Sequence, residues 1–122
     1  MTIQYYSDLH LEFKANKKHI LENPLIPVGD ILILAGNIIL FSKINNHNDS
    51  LDYISENFAI TFSLPGNLGY YYSDISNRPA IPNEKIRKNL SVVNNCGIEY
   101  GGASFLLSTL WSLVSQTNKW RV

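Results

Sequence analysis

Gly29-Asp30-Ile31-Leu32-Ile33-Leu34-Ala35-Gly36-Asn37-Ile38 is the stretch that decides the fold. Its apolar run is short and continuous, with a glycine on either side. A strand with one dry face alternates apolar and polar residues, whereas a strand covered on both faces reads as a continuous run. The pattern therefore predicts a central strand of a parallel sheet flanked by other layers. In open sheets of this kind, ligands gather at the C-terminal strand ends. Asn37 lies at that end, although its glycine neighbour also suits an ordinary turn asparagine.

On the N-terminal side, residues 2–7 predict a first strand that runs into Ser7-Asp8-Leu9-His10-Leu11-Glu12-Phe13. Strand alternation would point Asp8 and His10 to one side, about 6–7 Å apart along the backbone. A carboxylate oxygen and an imidazole nitrogen offered together suit a divalent transition metal. Taken alone, Asp-x-His is more often a solvated loop end. Residues 14–29 are polar and then carry Pro24 and Pro27, which predicts a loop with one helical turn over 18–22. His19, among Lys17, Lys18 and Glu22, reads as a solvated surface residue.

On the C-terminal side, Asn48, Asp49 and Ser50 are candidate caps for a helix. Leu51, Ile54 and Phe58 follow at i, i+3 and i+7, a single helical stripe. His47, just before the cap, reads as exposed. Residues 58–64 predict a third strand, closed by Pro65-Gly66 and followed by Asn67. Right-handed strand–helix–strand connections would bring the three strand ends, Asp8 with His10, Asn37 and Asn67, to one edge of the sheet. The following tyrosines, Tyr70 and Tyr71 among them, read either as rim packing or as a wall that contacts substrate. Asn83 then predicts a cap for a short helix over 84–90, with Ile86 and Leu90 on one face. Residues 91–93 and 98–100 predict short strands, and Gly101-Gly102 predicts the turn of a hairpin that continues into an apolar extended run over 103–111.

Composition bounds the rest. A chain of 122 residues is long enough for one domain, 1–122, with a real core. Its 45% hydrophobic and 16% charged residues suit a globular protein. With zero net charge, the chain shows no electrostatic footprint for nucleic acid or an anionic membrane. Cys96 is the sole cysteine, so no internal disulfide forms and a reducing, cytoplasmic location is expected. It reads as a buried or half-buried small residue rather than a reactive thiol. No signal peptide or membrane span is apparent in the sequence. The apolar residues over 105–114 call for cover: the core, a partner chain, or a second copy in a homo-oligomer.

Taken together, Ser7-Asp8-Leu9-His10-Leu11-Glu12-Phe13, Gly29 to Ile38 and Leu64-Pro65-Gly66-Asn67-Leu68-Gly69-Tyr70-Tyr71 resemble the first three motifs of the calcineurin-like metallophosphoesterases. Ser108-Thr109-Leu110-Trp111-Ser112 resembles the next strand in small bacterial members. The resemblance implies an α/β fold, the βαβαβ calcineurin-like sandwich truncated to its N-terminal part. It also implies hydrolysis of phosphate esters by two cations (manganese, iron or zinc) that clamp the phosphate while a bridging hydroxide attacks phosphorus. The family's first-metal Asp and His match Asp8 and His10, and its third-motif Asn matches Asn67. The family's bridging Asp is replaced by Asn37, and its leaving-group His by Leu68. The family's later histidines have no counterpart within the chain. An uncharged amide with one coordinating oxygen cannot bridge two cations as a carboxylate does, and leucine transfers no proton. The expectation is a metallophosphoesterase-like protein whose catalysis is weak or lost, keeping one weak cation site or none. The alternative is an inactive relative that serves as a binding or interaction module or has no selected role.

Overall fold

The computed structural model describes residues 1–39, 44, 46–66 and 84–109. Five strands form one sheet: β1 (Ile3–Tyr6), β2 (Ile31–Leu34), β3 (Ile60–Ser63), β4 (Glu84–Arg87) and β5 (Leu90–Val92), in spatial order β1-β2-β3-β5-β4. β1, β2, β3 and β5 run parallel to one another, and β4 is antiparallel to β5 at the edge. The chain is an α/β protein. As the continuous run predicts, β2 lies inside the sheet, with Ile31 and Leu32 fully buried and pointing to opposite faces.

The two faces are covered differently. On one, Leu32, Leu34, Leu90 and Val92 pack against Leu51, Ile54 and Phe58 of helix α2 (Asn48–Asn57) and its C-terminal cap. The predicted apolar stripe of α2 is thus the surface that the sheet buries. On the other face, Ile31, Phe62, Leu64 and Val93 meet Phe105 and Leu107. Those two residues belong to a separate two-stranded sheet, β6 (Cys96–Tyr100) and β7 (Ala103–Leu107). Tyr100 pairs with Ala103 across Gly101 and Gly102, whose φ angles are +60° and +81°. Positive φ at both positions is what a tight two-residue hairpin turn demands, and glycine meets it without strain.

Three expectations fail. Residues 14–22 form a full helix, α1 (Lys14–Glu22), rather than a loop with one turn. It buries no residue completely, and only Ile20 leans on the core, so its sequence lacks the apolar stripe that marks a packed helix. Residues 84–87 form strand β4, not the start of a helix. Pairing with β5 and the anchoring of Asn89 to the end of α2 override the local helical pattern. Asn89 Nδ2 donates to the carbonyls of Ser55 and Phe58 at 2.8 and 2.9 Å. His47, expected at the surface, is buried beside Ser50, Leu11 and Ile44. Among the described residues, no helix is long and apolar enough to cross a membrane.

Candidate functional site

The parallel strands all end on one edge of the sheet, and their loops continue side by side past it. The Asp8 amide donates to Gly36 O at 2.9 Å, the His10 amide to Asn37 O at 3.0 Å, and the Leu11 amide to Ile38 O at 2.7 Å. Asn37 N reaches Pro65 O at 3.3 Å, and Leu64 N reaches Leu34 O at 2.8 Å. The loops after β1, β2 and β3 are therefore tied to one another by backbone bonds before any side chain contributes.

Strand alternation is not what unites Asp8 and His10. β1 ends at Tyr6, and both residues are left-handed, with φ of +57° and +50°. Asp, Asn and His tolerate this region better than most side chains. In this curled backbone Asp8 Oδ1 lies 3.6 Å from His10 Nε2. Asn16 of α1 steadies the curl, its Nδ2 donating to Leu9 O and His10 O at 3.2 Å each.

His10 is gripped from behind. Its Nδ1 lies 2.8 Å from Glu12 Oε1, and the Phe13 ring sits 6.0 Å from its own. A carboxylate only accepts, so Nδ1 carries the proton of this bond and Nε2 faces Asp8. The Glu12 side chain is largely buried, and its Oε2 has no hydrogen-bond partner among the described residues. A buried polar atom left unpaired carries a desolvation cost that the fold absorbs here.

Asp8 is exposed at the mouth. Asn37 Nδ2 donates to its Oδ1 at 2.8 Å. That bond, with a second from Ser7, holds the Asp8 carboxyl below its ordinary value of 3.8, against a slight opposing effect of burial. Asn37 is itself left-handed, with φ of +57°. A Cβ placed on Gly66 would lie 2.5 Å from Asn37 Oδ1, so the loop after β3 presses on this amide.

Of the sequence-predicted site residues, the structure unites Asp8, His10 and Asn37. Asn67, Leu68, Tyr70 and Tyr71 lie outside the described residues. Two further contributions emerge. Glu12 was signalled only by its i+2 spacing from His10. Thr109 Oγ1 accepts the Gly66 amide at 3.2 Å, while the Thr109 amide donates to buried Asn94 at 2.7 Å, so the end of β7 is tied to the ends of β3 and β5.

Chemically, the arrangement offers one carboxylate oxygen and one imidazole nitrogen to a shared point. Metal–ligand bonds of about 2.0–2.2 Å place neighbouring donors about 3.0–3.5 Å apart, close to the separation here. Asn37 differs, because the atom it turns toward Asp8 is an N–H donor. Among the described residues, no group of three or more His, Cys, Asp and Glu side chains is arranged to hold a metal ion. No protein-family model, no curated protein and no solved structure matches the chain.

Proposed function

We propose that the chain is a metallophosphoesterase-like protein on a calcineurin-like sandwich. Its strand-end site takes one divalent cation, manganese, iron or zinc, and hydrolysis of phosphate esters is weak or lost. The observation that carries this reading is the 3.6 Å approach of Asp8 Oδ1 and His10 Nε2, with His10 oriented from behind by Glu12. Second-sphere carboxylates of this kind set the tautomer and direction of metal-binding histidines. The parallel β1-β2-β3-β5 core, with both helices on one face and a hairpin on the other, supports the sandwich.

The residues present suit one cation, not two. Asn37 offers a single uncharged oxygen and spends its N–H on Asp8. At the leaving-group position, Leu68 neither donates nor accepts a proton. Asp8 and His10 would hold the cation, with Glu12 keeping Nε2 turned toward it, and its positive charge would attract a phosphate ester to the mouth. A second reading, an interaction module that covers its apolar C-terminal part with another copy, draws on Leu106, which is 89% exposed on β7. A concentration-independent monomer by sedimentation would sink it.

The test is a thermal melt with and without Mn²⁺ or Zn²⁺, beside Asp8→Ala, followed by a generic phosphodiester assay. A cation at one hundred times its Kd adds about 2.7 kcal/mol, a rise on the order of 10 °C for a domain of this size. The expected result is a rise in the natural chain that Asp8→Ala abolishes, with hydrolysis near the blank. A melt blind to both metals overturns the cation site, and brisk metal-dependent turnover overturns the loss of catalysis.

A further inference from the structure

Asn37, in the loop after β2, touches the loops after both β1 and β3. Its backbone carbonyl accepts the His10 amide at 3.0 Å, and its own amide reaches Pro65 O at 3.3 Å. Its side-chain Nδ2 donates to Asp8 Oδ1 at 2.8 Å, and its Oδ1 sits where a Cβ on Gly66 would collide. A carboxylate at this position would have the same shape and the same tolerance of left-handed φ. It would differ in charge and in lacking the N–H donor, and two carboxylates facing each other at hydrogen-bond distance repel unless a proton or cation lies between them.

From this we infer that the Asn37 amide takes the role a second cation would otherwise have, clasping Asp8 and holding the three strand-end loops together without metal. The inference deepens the reading above and rests on it for where a second cation would sit. The positive end of an N–H dipole does locally what a cation would do by charge. It requires no ion, and it meets the Asp8 carboxylate with an N–H donor at 2.8 Å. The site is therefore assembled before any metal arrives, whereas a carboxylate at 37 would make its assembly depend on metal.

The experiment compares the full natural chain, Asn37→Asp and Asn37→Ala in thermal melts, in EDTA and in Mn²⁺. Asn37→Asp is expected to melt on the order of 5–10 °C below the natural chain in EDTA and to regain most of that loss in Mn²⁺. Asn37→Ala, which loses the donor without gaining a charge, is expected to melt low in EDTA and to recover far less. If Asn37→Asp does not fold in EDTA, recovery of a cooperative melt on refolding in Mn²⁺ supports the inference, and failure to refold there overturns it. It is also overturned if Asn37→Asp melts with the natural chain in EDTA, or if Mn²⁺ rescues both variants equally. The two readings fail separately. A natural chain blind to Mn²⁺ beside a rescued Asn37→Asp removes the cation site of the natural chain and leaves the clasp. A natural chain stabilised by Mn²⁺ beside an Asn37→Asp variant with no deficit in EDTA does the opposite.

Discussion

His10 Nδ1 lies 2.8 Å from Glu12 Oε1, and the other oxygen of that carboxylate is buried without a hydrogen-bond partner among the described residues. The pair orients His10 at a cost in stability. Replacing Glu12 with leucine should therefore separate the two effects. Losing a second-sphere carboxylate typically weakens metal binding 10–100-fold. Removing the carboxylate relieves its unpaired oxygen but takes the acceptor from the part-exposed His10 Nδ1, so the two effects on stability oppose each other. Glu12→Leu is expected to melt close to the natural chain in EDTA, while Mn²⁺ affinity by calorimetric titration falls at least tenfold. Unchanged affinity would remove Glu12 from the site.

Gly66 has φ of +65°, and a Cβ there would lie 2.5 Å from Asn37 Oδ1 and 2.8 Å from Asn37 N. Backbone strain and collision add together, and the nearest backbone atom cannot swing away as a side-chain tip does. Gly66→Ala is expected to destabilise by at least about 1–2 kcal/mol. A shifted chemical environment for the Asp8 and Asn37 amides should accompany it. Urea denaturation with a two-dimensional amide spectrum reads both, and an unperturbed spectrum at full stability would show that the loops are not in contact.

Asn89 and Arg87 sit on one short turn and contribute unequally. The Asn89 amide donates to two carbonyls at the end of α2, and its oxygen accepts the Ser55 hydroxyl at 2.5 Å. Arg87 Nε donates to Asp52 Oδ1 at 2.8 Å, but Asp52 is more than half exposed. Solvent screens the second contact, whereas loss of the first strands partly buried carbonyls. Asn89→Ala should cost about 1–3 kcal/mol. Arg87→Ala should cost at most about 1 kcal/mol, shrinking further in high salt. Urea midpoints at unchanged m-value make the comparison, and the reverse ranking would contradict it.

His47 is buried, and its Nδ1 has no hydrogen-bond partner among the described residues. Burial above all, and then the Lys17 charge, pull its pKa below the ordinary 6.5, while Asp49 and Glu12 pull weakly the other way. Between the lowered folded value and 6.5, the unfolded chain binds a proton that the folded chain does not. His47 thus supports the fold fully above about pH 6.5 and progressively less as pH falls toward the lowered value. Melting temperature should decline between pH 7.5 and 5.5, and His47→Gln should flatten that decline. A decline of equal slope in the variant would assign it to other groups.

What the sequence by itself determined follows from local pattern. The continuous run at 31–34 requires a strand with two covered faces. The spacing of Leu51, Ile54 and Phe58 requires a helix with one buried face, and Gly101-Gly102 requires a tight hairpin turn. Each of these is written in neighbouring residues, as are the polar residues Asp8, His10 and Asn37 beyond the strand ends. Only the tertiary structure decided the rest. α1 carries no buried stripe, so nothing in its periodicity announces a helix. Residues 84–87 are a strand because β5 offers an edge and Asn89 holds α2, partners more than 30 positions away in the case of Ser55. His47 is buried because residues from several distant segments close around it. The meeting of Asp8 with His10 and with Asn37 depends on left-handed turns and on hydrogen bonds between loops. Periodicity records which face of an element is dry, but not which distant atoms come to lie against it.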